Sequence, residues 1–448
     1  MFQFIGTISP TSAIAPRWIV YPVTEKISTL LLDDKRSFLY NRCNLQTVCM
    51  HREKFMMEFF KQAERHAFFA VFFCFVLFCT FSNAHAIDFS SSEAQKIKTV
   101  VNGGKIALND DDFSIHLMML GSNKNGDSIY IKAGETDILI DAGSERGSPN
   151  TTSAYIDRYC KDGSLEYVIV THADADHIYG FVGSESCPCI FERYECKTII
   201  QFARTNKTTA AYKSYCEKRD AELSSEKGSV CYTALQCYNQ TDGAKRVYDL
   251  TGDGRITMEI LYQKYYETYT SNENDFSVCV LFTCTDSSGG KTHYYFLGDL
   301  EKNGEASLVE SNPHLPRATF YKGGHHGSYT AASEVLLSVI QPQVVCISCS
   351  VGSTEYTKNS DTVFPALDFI KRISLYTEDV YCTQYGASGG YDKKTGKSIG
   401  GYEPMNGNIV FICTAAGEMS LVFSHNDTKL KDSEWGKMYR AVDAWKKD

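Results

Sequence analysis

The chain reads as a layered α/β sandwich. Three observations predict it: short apolar, strand-like segments recur along most of the 448 residues, helix-like stretches are interspersed among them, and Asp and His residues collect where strands end. With 43% hydrophobic residues, the chain can bury one large core or two smaller ones. A net charge of −9 argues against a general nucleic-acid coat protein, while leaving room for a locally basic cleft. No internal repeat or low-complexity tract is visible.

The N-terminal region is read separately. Residues 67–81 (AFFAVFFCFVLFCTF) are continuously apolar, yet shorter than the ~20 residues of a typical membrane span. Arg52, Lys54, Lys61 and Arg65 precede this run, and Ala84-His85-Ala86 follows as a small-residue cleavage signal. Residues 56–86 are therefore expected to be a signal peptide, with Met56 or Met57 as the natural start and residues 1–55 a mis-assigned or disordered extension. The competing reading is a single-pass membrane anchor. Both place the bulk of the chain outside the cytoplasm, secreted or periplasmic, with membrane contact only through this segment if it stays uncleaved. Thirteen of the 17 cysteines follow Ala86, which in an exported protein reads first as disulfides. Cys187-Pro-Cys189 with Cys196 is the alternative, a zinc knuckle, but no second pair at zinc-finger spacing follows. No obligate protein partner is evident.

After a linker over 87–112, the folded domain is expected over 113–425. Strands are predicted over 114–120, 128–132 and 137–143, then 166–171, where β-branched residues form a continuous apolar run, and 197–202. Residues 203–245 are polar and cysteine-bearing and read as an insertion with helical pieces. Strands resume over 255–261, 276–282 and 293–297; a helix is expected over 331–341, a strand over 344–348 and a helix over 366–373. Tyr262–Tyr269 reads as a half-buried strand end and loop, Lys393–Lys397 as a hairpin tip, and 426–448 as a C-terminal helix with a solvated charged face.

Chemistry-bearing residues gather at three strand ends. His172-Ala-Asp174-Ala-Asp176-His177 follows the 166–171 run directly, Gly298-Asp299 closes another strand, and His325-His326-Gly327-Ser328 follows a third. Each alone has a plain reading as a polar turn, as Thr251-Gly-Asp253-Gly does. Crowded carboxylates and imidazoles are costly to desolvate unless a cation neutralises them, so three such ends together point to a metal site.

This set of motifs is similar to the metallo-β-lactamase superfamily, and resembles most the soluble hydrolase domain of bacterial ComEC-type competence proteins. Gly126-Asp127-Ser128, Asp141-Ala-Gly143 and Asn274-Asp275-Phe276-Ser277 lie in the matching order, and the resemblance spans roughly 113–415. It implies a four-layer αββα fold with two divalent metal ions, zinc or manganese, at one edge. Carried over, His172 and Asp174 hold one metal, Asp176 and His177 the second, and Asp299 bridges them. His326 completes the second site, and His325 contacts substrate oxygens or lends a proton; Asp176 and His325 are the expected catalytic residues. Asp141 orients a ligand histidine through its ring N–H, and Asn274 or Asp275 stands near the first metal. Two such ions can clamp the attacking and leaving oxygens of an in-line displacement and hold a hydroxide at neutral pH.

Three departures matter. The superfamily more often has histidine where Asp174 stands, and an oxygen ligand shifts preference from zinc toward manganese. The interval from Phe181 to Thr292 holds no histidine for the third position on the first metal. Tyr179-Gly180 replaces the usual Gly-Gly, a change expected in the pocket wall. The implied activity is a phosphodiesterase or nuclease acting on small-molecule or nucleic-acid diesters. The alternatives are a hydrolase of a lactone, β-lactam or phosphocholine ester, and a non-catalytic, disulfide-braced binding module. A basic cleft lining, for which only Arg317 and Lys322 offer themselves, favours nucleic acid; an acidic or aromatic lining, with Tyr179 and Tyr321, favours a small substrate.

Overall fold

The computed structural model describes residues 97–386 and 401–446. The chain is a mixed α/β protein with two sheets and flanking helices. Seven strands come first: β1 (Lys98–Val101), β2 (Phe113–Leu117), β3 (Ile129–Ala133), β4 (Thr136–Ile140), β5 (Ser164–Val170), β6 (Glu195–Gln201) and β7 (Val230–Thr233). The second sheet is built from β8 (Val247–Asp249), β9 (Ile256–Leu261), β10 (Cys279–Thr285), β11 (Lys291–Phe296), β12 (Phe320–Lys322), β13 (Val344–Val351), β14 (Val380–Gly386) and β15 (Tyr402–Pro404). The chain then returns to the first sheet with β16 (Ile409–Cys413) and β17 (Met419–Phe423). The strand orders are β1-β17-β16-β2-β3-β4-β5-β6-β7 and β15-β14-β13-β12-β11-β10-β9-β8.

Period-2 alternation sorts the second sheet's side chains into two layers. Val280, Phe282, Tyr294 and Phe296 face the first sheet, where the Tyr294 ring meets Phe113 tilted at 4.9 Å and Phe411 edge-on at 5.4 Å. Cys279, Leu281 and Tyr295 face the other way, toward the helices α6 (Lys302–Ser311), α7 (Glu334–Ile340) and α8 (Leu367–Ile373). Helices α1 (Ser148–Ile156), α2 (Ala175–Val182), α3 (Ile190–Arg193) and α4 (Ala210–Leu223) pack on the first sheet through Ile156, Ile178, Phe181, Phe191 and Tyr215. Between β7 and β8 lies the short α5 (Ala234–Asn239). Helices, sheet, sheet and helices thus follow in four layers.

Several expectations need correction. The stretch expected as a linker contributes β1, which pairs in parallel with β17. The stretch read as an insertion is part of the sheet: β7 pairs with β6, and Tyr215 of α4 is fully buried against Phe181, Phe191 and Phe202. The strand expected from Phe276 begins at Cys279, because Glu273–Phe276 forms a 3-10 turn. At the C-terminus a six-residue helix, α9 (Glu434–Tyr439), lies between two 3-10 turns where one long helix was expected. Its following residue, Arg440, is fully buried and donates to the carbonyls of Pro365, Ser360 and Val363.

No disulfide joins any of the 13 described cysteines. Many sit on core strands, Cys196, Cys279, Cys346 and Cys382 among them, where a thiol packs as a small hydrophobic group. Cys187, Cys189 and Cys196 form no metal-binding group among the described residues. Tyr262–Tyr269 is packing: Tyr266 is buried and its hydroxyl accepts the Cys279 N–H at 2.8 Å. The signal segment and the hairpin tip at Lys393–Lys397 lie outside the described residues.

Candidate metal centre

The first ligand cluster follows the end of β5. Thr171 and His172 leave the strand, and α2 starts at Ala175, so Asp176 and His177 stand in its first turn. Gly180 lets this helix lie on the chain after β4: a Cβ there would stand 1.9 Å from the Ala142 carbonyl oxygen. Asp299 enters from the second sheet at the turn after β11. Its neighbour Gly298 has φ +55°, and a Cβ there would meet Thr171 and Ser277 at 2.9 Å. The two sheets are joined at this edge, where Val278 N–H donates to the Thr171 carbonyl at 2.9 Å. His325 and His326 follow β12, both in the left-handed region, with φ of 44° and 51°. Such backbone costs ~1–3 kcal/mol per residue and persists where the surroundings hold it.

These loops bring Asp176, His177, Asp299 and His326 together, with one ligand atom of each lying within 4.8 Å of the others. The Asp299 carboxylate is central: its Oδ2 lies 3.2 Å from His177 Nε2, 3.3 Å from His326 Nε2 and 3.7 Å from His325 Nε2. His326 Nε2 is 3.5 Å from Asp176 Oδ2, which also accepts from the Tyr356 hydroxyl at 2.9 Å. His172 and Asp174 pair with one another at 3.6 Å and stand beside the four-residue group, the His172 ring tilted against that of His177 with centroids 4.2 Å apart.

The ligand-type atoms fit divalent ions. The Nε2 atoms of His172, His177 and His326 and Oδ1 of Asp299 are buried and have no hydrogen-bond partner, which is costly unless something else binds them. Their other ring nitrogens are committed. His177 Nδ1 meets Asp141 Oδ2 at 2.7 Å, and His326 Nδ1 donates to the Ser348 carbonyl at 2.9 Å, which aims both Nε2 atoms inward. Burial opposes charge on His177, yet Asp299 and Asp141 hold its pKa well above the ordinary value. His326, likewise opposed by burial, is raised to about 10 by Asp299 and Asp127. Burial raises the Asp299 carboxyl, but His326 and His177 hold it well below the carboxylate range. The carboxylates thus demand positive charge, which a divalent ion supplies while leaving the rings neutral and able to ligate.

The other named residues lie around this group. His325 stays out of the four-residue group; its Nδ1 hydrogen-bonds with Thr330 Oγ1 at 3.2 Å and lies 3.2 Å from Glu301 Oε1. Asn274 donates to that same Glu301 oxygen at 3.1 Å and lines the same cleft as Asp174 and Asp176. Asp275 is buried, and its side chain accepts from backbone N–H groups at the start of α6. Tyr179 leaves the pocket wall and lies under the Arg146 guanidinium at 5.4 Å. Tyr321 is buried beneath the histidine loop, accepting from Gly324 N–H at 3.1 Å.

Four residues take part that the ligand motifs did not place in the centre, Lys322 among them, which the sequence offered only as a basic lining of the cleft. Lys322 is fully buried and its ammonium contacts Asp127, with Asp299 at 3.8 Å. Glu301 and Tyr356 hold His325 and Asp176, and Lys207 contacts Asp174. The position of Lys322, three residues before His325, was the available signal; for the others the partners are brought together only by the fold. A cleft of about 620 Å³ opens over the centre, lined by Asp174, Asp176, Asp299, His325 and a rim of hydroxyl and aromatic groups that includes Ser328, Tyr329, Thr330, Tyr356 and Phe364.

The sequence profile described as the metallo-beta-lactamase superfamily matches residues 122–183, from the loop between β2 and β3 through the His172–His177 cluster. The match supports the metallo-β-lactamase superfamily. Solved structures to which the chain is similar share little sequence with it. The metallo-beta-lactamase fold protein YhfI from Bacillus subtilis is 11% identical, over 61% of this chain and 98% of that one, with a TM-score of 0.35. MEM-A1, a subclass B3 metallo-beta-lactamase from a soil metagenome library, is 13% identical, over 52% of this chain and 81% of its own, with a TM-score of 0.29. No curated protein matches the chain. Family and cluster together suggest a metal-dependent hydrolase, and the fold implies divalent metal ions.

Proposed function

We propose that the chain is a metal-dependent phosphodiesterase acting on small diesters, nearest within its superfamily to the ComEC-type hydrolase domains. The observation that carries this reading is the convergence of the unpartnered, buried Nε2 atoms of His177 and His326 on Asp299 at the floor of an open cleft, with the equally unpartnered Nε2 of His172 facing Asp174 beside them. When bound, divalent ions would supply a nucleophile and neutralise developing charge on a phosphoryl group. Asp176, His177, Asp299 and His326 would hold the tighter ion, and His172 and Asp174 stand at the other position. His325, held by Glu301 and facing the cleft, is placed to give a proton to the leaving oxygen. Ser328, Thr330 and Thr357 offer hydroxyl donors to non-bridging oxygens.

The lining supports a small substrate over a polymer. Among the described residues no Lys or Arg lines the cleft, and a strand of nucleic acid is held mainly through its phosphates by such residues. Lys322 is buried under the metal centre and so offers a substrate nothing. A volume of about 620 Å³ suits a ligand of nucleotide size. Exposed Tyr329 and Tyr356 present ring faces for a base or a cationic head group. The same aromatic rim gives the second reading, hydrolysis of a lactone or β-lactam. Export, as a secreted or anchored protein, rests on residues 56–86; among the described residues no helix is long and apolar enough to cross a membrane.

The test compares the purified chain with an Asp176→Ala, His177→Ala double variant, measuring metal content and turnover of bis(p-nitrophenyl) phosphate, a lactone, a β-lactam and single-stranded DNA. Diester turnover lost with metal in the variant is expected. Turnover of the lactone or β-lactam alone would move the assignment to the second reading, and preferred cleavage of the polymer would overturn the size argument.

A further inference from the structure

No histidine is available from the interval 181–292 for the expected first metal position, and a lysine stands beside Asp174. The Lys207 ammonium contacts Asp174 Oδ1, while Asp174 Oδ2 faces His172 Nε2 at 3.6 Å. Lys207 is not a chance neighbour. Its backbone N–H donates to Thr205 Oγ1 at 2.9 Å, and the Thr205 hydroxyl donates to Glu273 Oε1 at 2.7 Å. Glu273 Oε2 accepts the Asn206 N–H at 2.9 Å, and Oε1 also accepts the Ala173 N–H at 3.2 Å. One buried carboxylate therefore ties the loop carrying Lys207 to the loop carrying His172 and Asp174. The ammonium is delivered to Asp174 by design of the backbone, on the segment between β6 and α4.

The two positions are thus unequal. Asp176, His177, Asp299 and His326 form a complete four-residue set, with both imidazoles oriented from behind. His172 and Asp174 offer a second ion two protein ligands besides Asp299, and one of them already carries a cation. An ammonium bound to a carboxylate competes with a metal for the same oxygen, at a charge too low to activate a nucleophile. We propose that Lys207 is the built-in counter-cation of Asp174, so that the chain holds one divalent ion tightly, at Asp176, His177, Asp299 and His326, and admits a second at His172 and Asp174 only by displacing the lysine. The inference rests on the metal-dependent reading above and specifies how many ions it needs.

The experiment is metal binding by the full chain, stripped and then titrated with zinc or manganese, followed by calorimetry and by metal content after gel filtration. Wild type and Lys207→Arg should retain one ion per chain through gel filtration and bind a second only weakly. Lys207→Met and Lys207→Gln should retain two, with affinity for the second raised about tenfold or more, the scale on which groups bonded to a metal ligand act. The Lys207 side chain is 27% exposed on a loop, and circular dichroism checks that each variant is folded. Two ions held equally in wild type, or one ion in the neutral variants as well, would overturn the role of Lys207 and leave the hydrolase reading standing. No ion in any of the four proteins would remove both.

Discussion

Asp141 ends its strand with φ 58°, a left-handed conformation that Asp and Asn tolerate better than most residues. The turn places one carboxylate where it serves three donors: the Thr171 N–H at 2.8 Å, the Thr171 hydroxyl at 2.7 Å and His177 Nδ1 at 2.7 Å. It meets His177 on the Nδ1 side, away from the inward-facing Nε2, and acts by fixing that ring. Asp141→Asn keeps the backbone preference and removes the charge, so the fold should persist while metal affinity falls roughly 10- to 100-fold, read by calorimetric titration. Unchanged affinity would show that His177 is oriented by packing alone. At this scale the sequence was informative where ligand types cluster in the chain, as at His172 to His177. It was silent on Lys207, whose partner Asp174 lies 33 residues upstream and whose loop is set by Glu273, far along the chain.

At the scale of elements, α2 is the part on which the centre depends most. It carries Asp176 and His177, and it lies close on the chain after β4, where Ala142 N–H donates to the His177 carbonyl at 3.0 Å. Gly180→Ala would drive a methyl group into the Ala142 carbonyl, and helix and strand would have to part. We expect a loss of about 3 kcal/mol in stability together with weakened metal binding, measured by urea unfolding and metal titration. The β5 strand was legible because its apolar run is continuous, and its observed bounds, Ser164–Val170, lie close to those expected. The segment over 203–245 was not, for physical reasons. Among the 14 residues of α4, only Ala211, Tyr215 and Glu222 are buried, too few to mark an apolar face, and β7 is a four-residue strand with no fully buried residue. β1, exposed at all four positions, earns its place through backbone pairing with β17, which leaves no trace in hydropathy.

Across the whole molecule, the layered sandwich was readable from strands, helices and strand-end chemistry taken together. The edge where the two sheets meet was not, because it depends on Gly298 approaching Thr171 and Ser277 from a distant part of the chain. The first sheet supplies Asp176 and His177 to this edge, and the second supplies Asp299 and His326. An ion bound there links both halves of the sandwich, so removing it should loosen the entire fold and not only the site. Stripping metal with a chelator should lower Tm by roughly 5 °C or more, with recovery on adding metal back. A Tm indifferent to chelation would mean that the sheets hold their register without help from the centre.

That division of the ligands has a consequence for how the protein comes to be loaded. Residues 172–177 are made long before residues 299 and 326, and no stretch of chain short enough to fold early contains the full set. A growing or half-folded chain can offer an ion two or three weak handholds and nothing more. Tight capture waits until the last strands have docked, so the ion works as an inspector of finished goods: a molecule that keeps its metal through purification is one whose two halves have found each other.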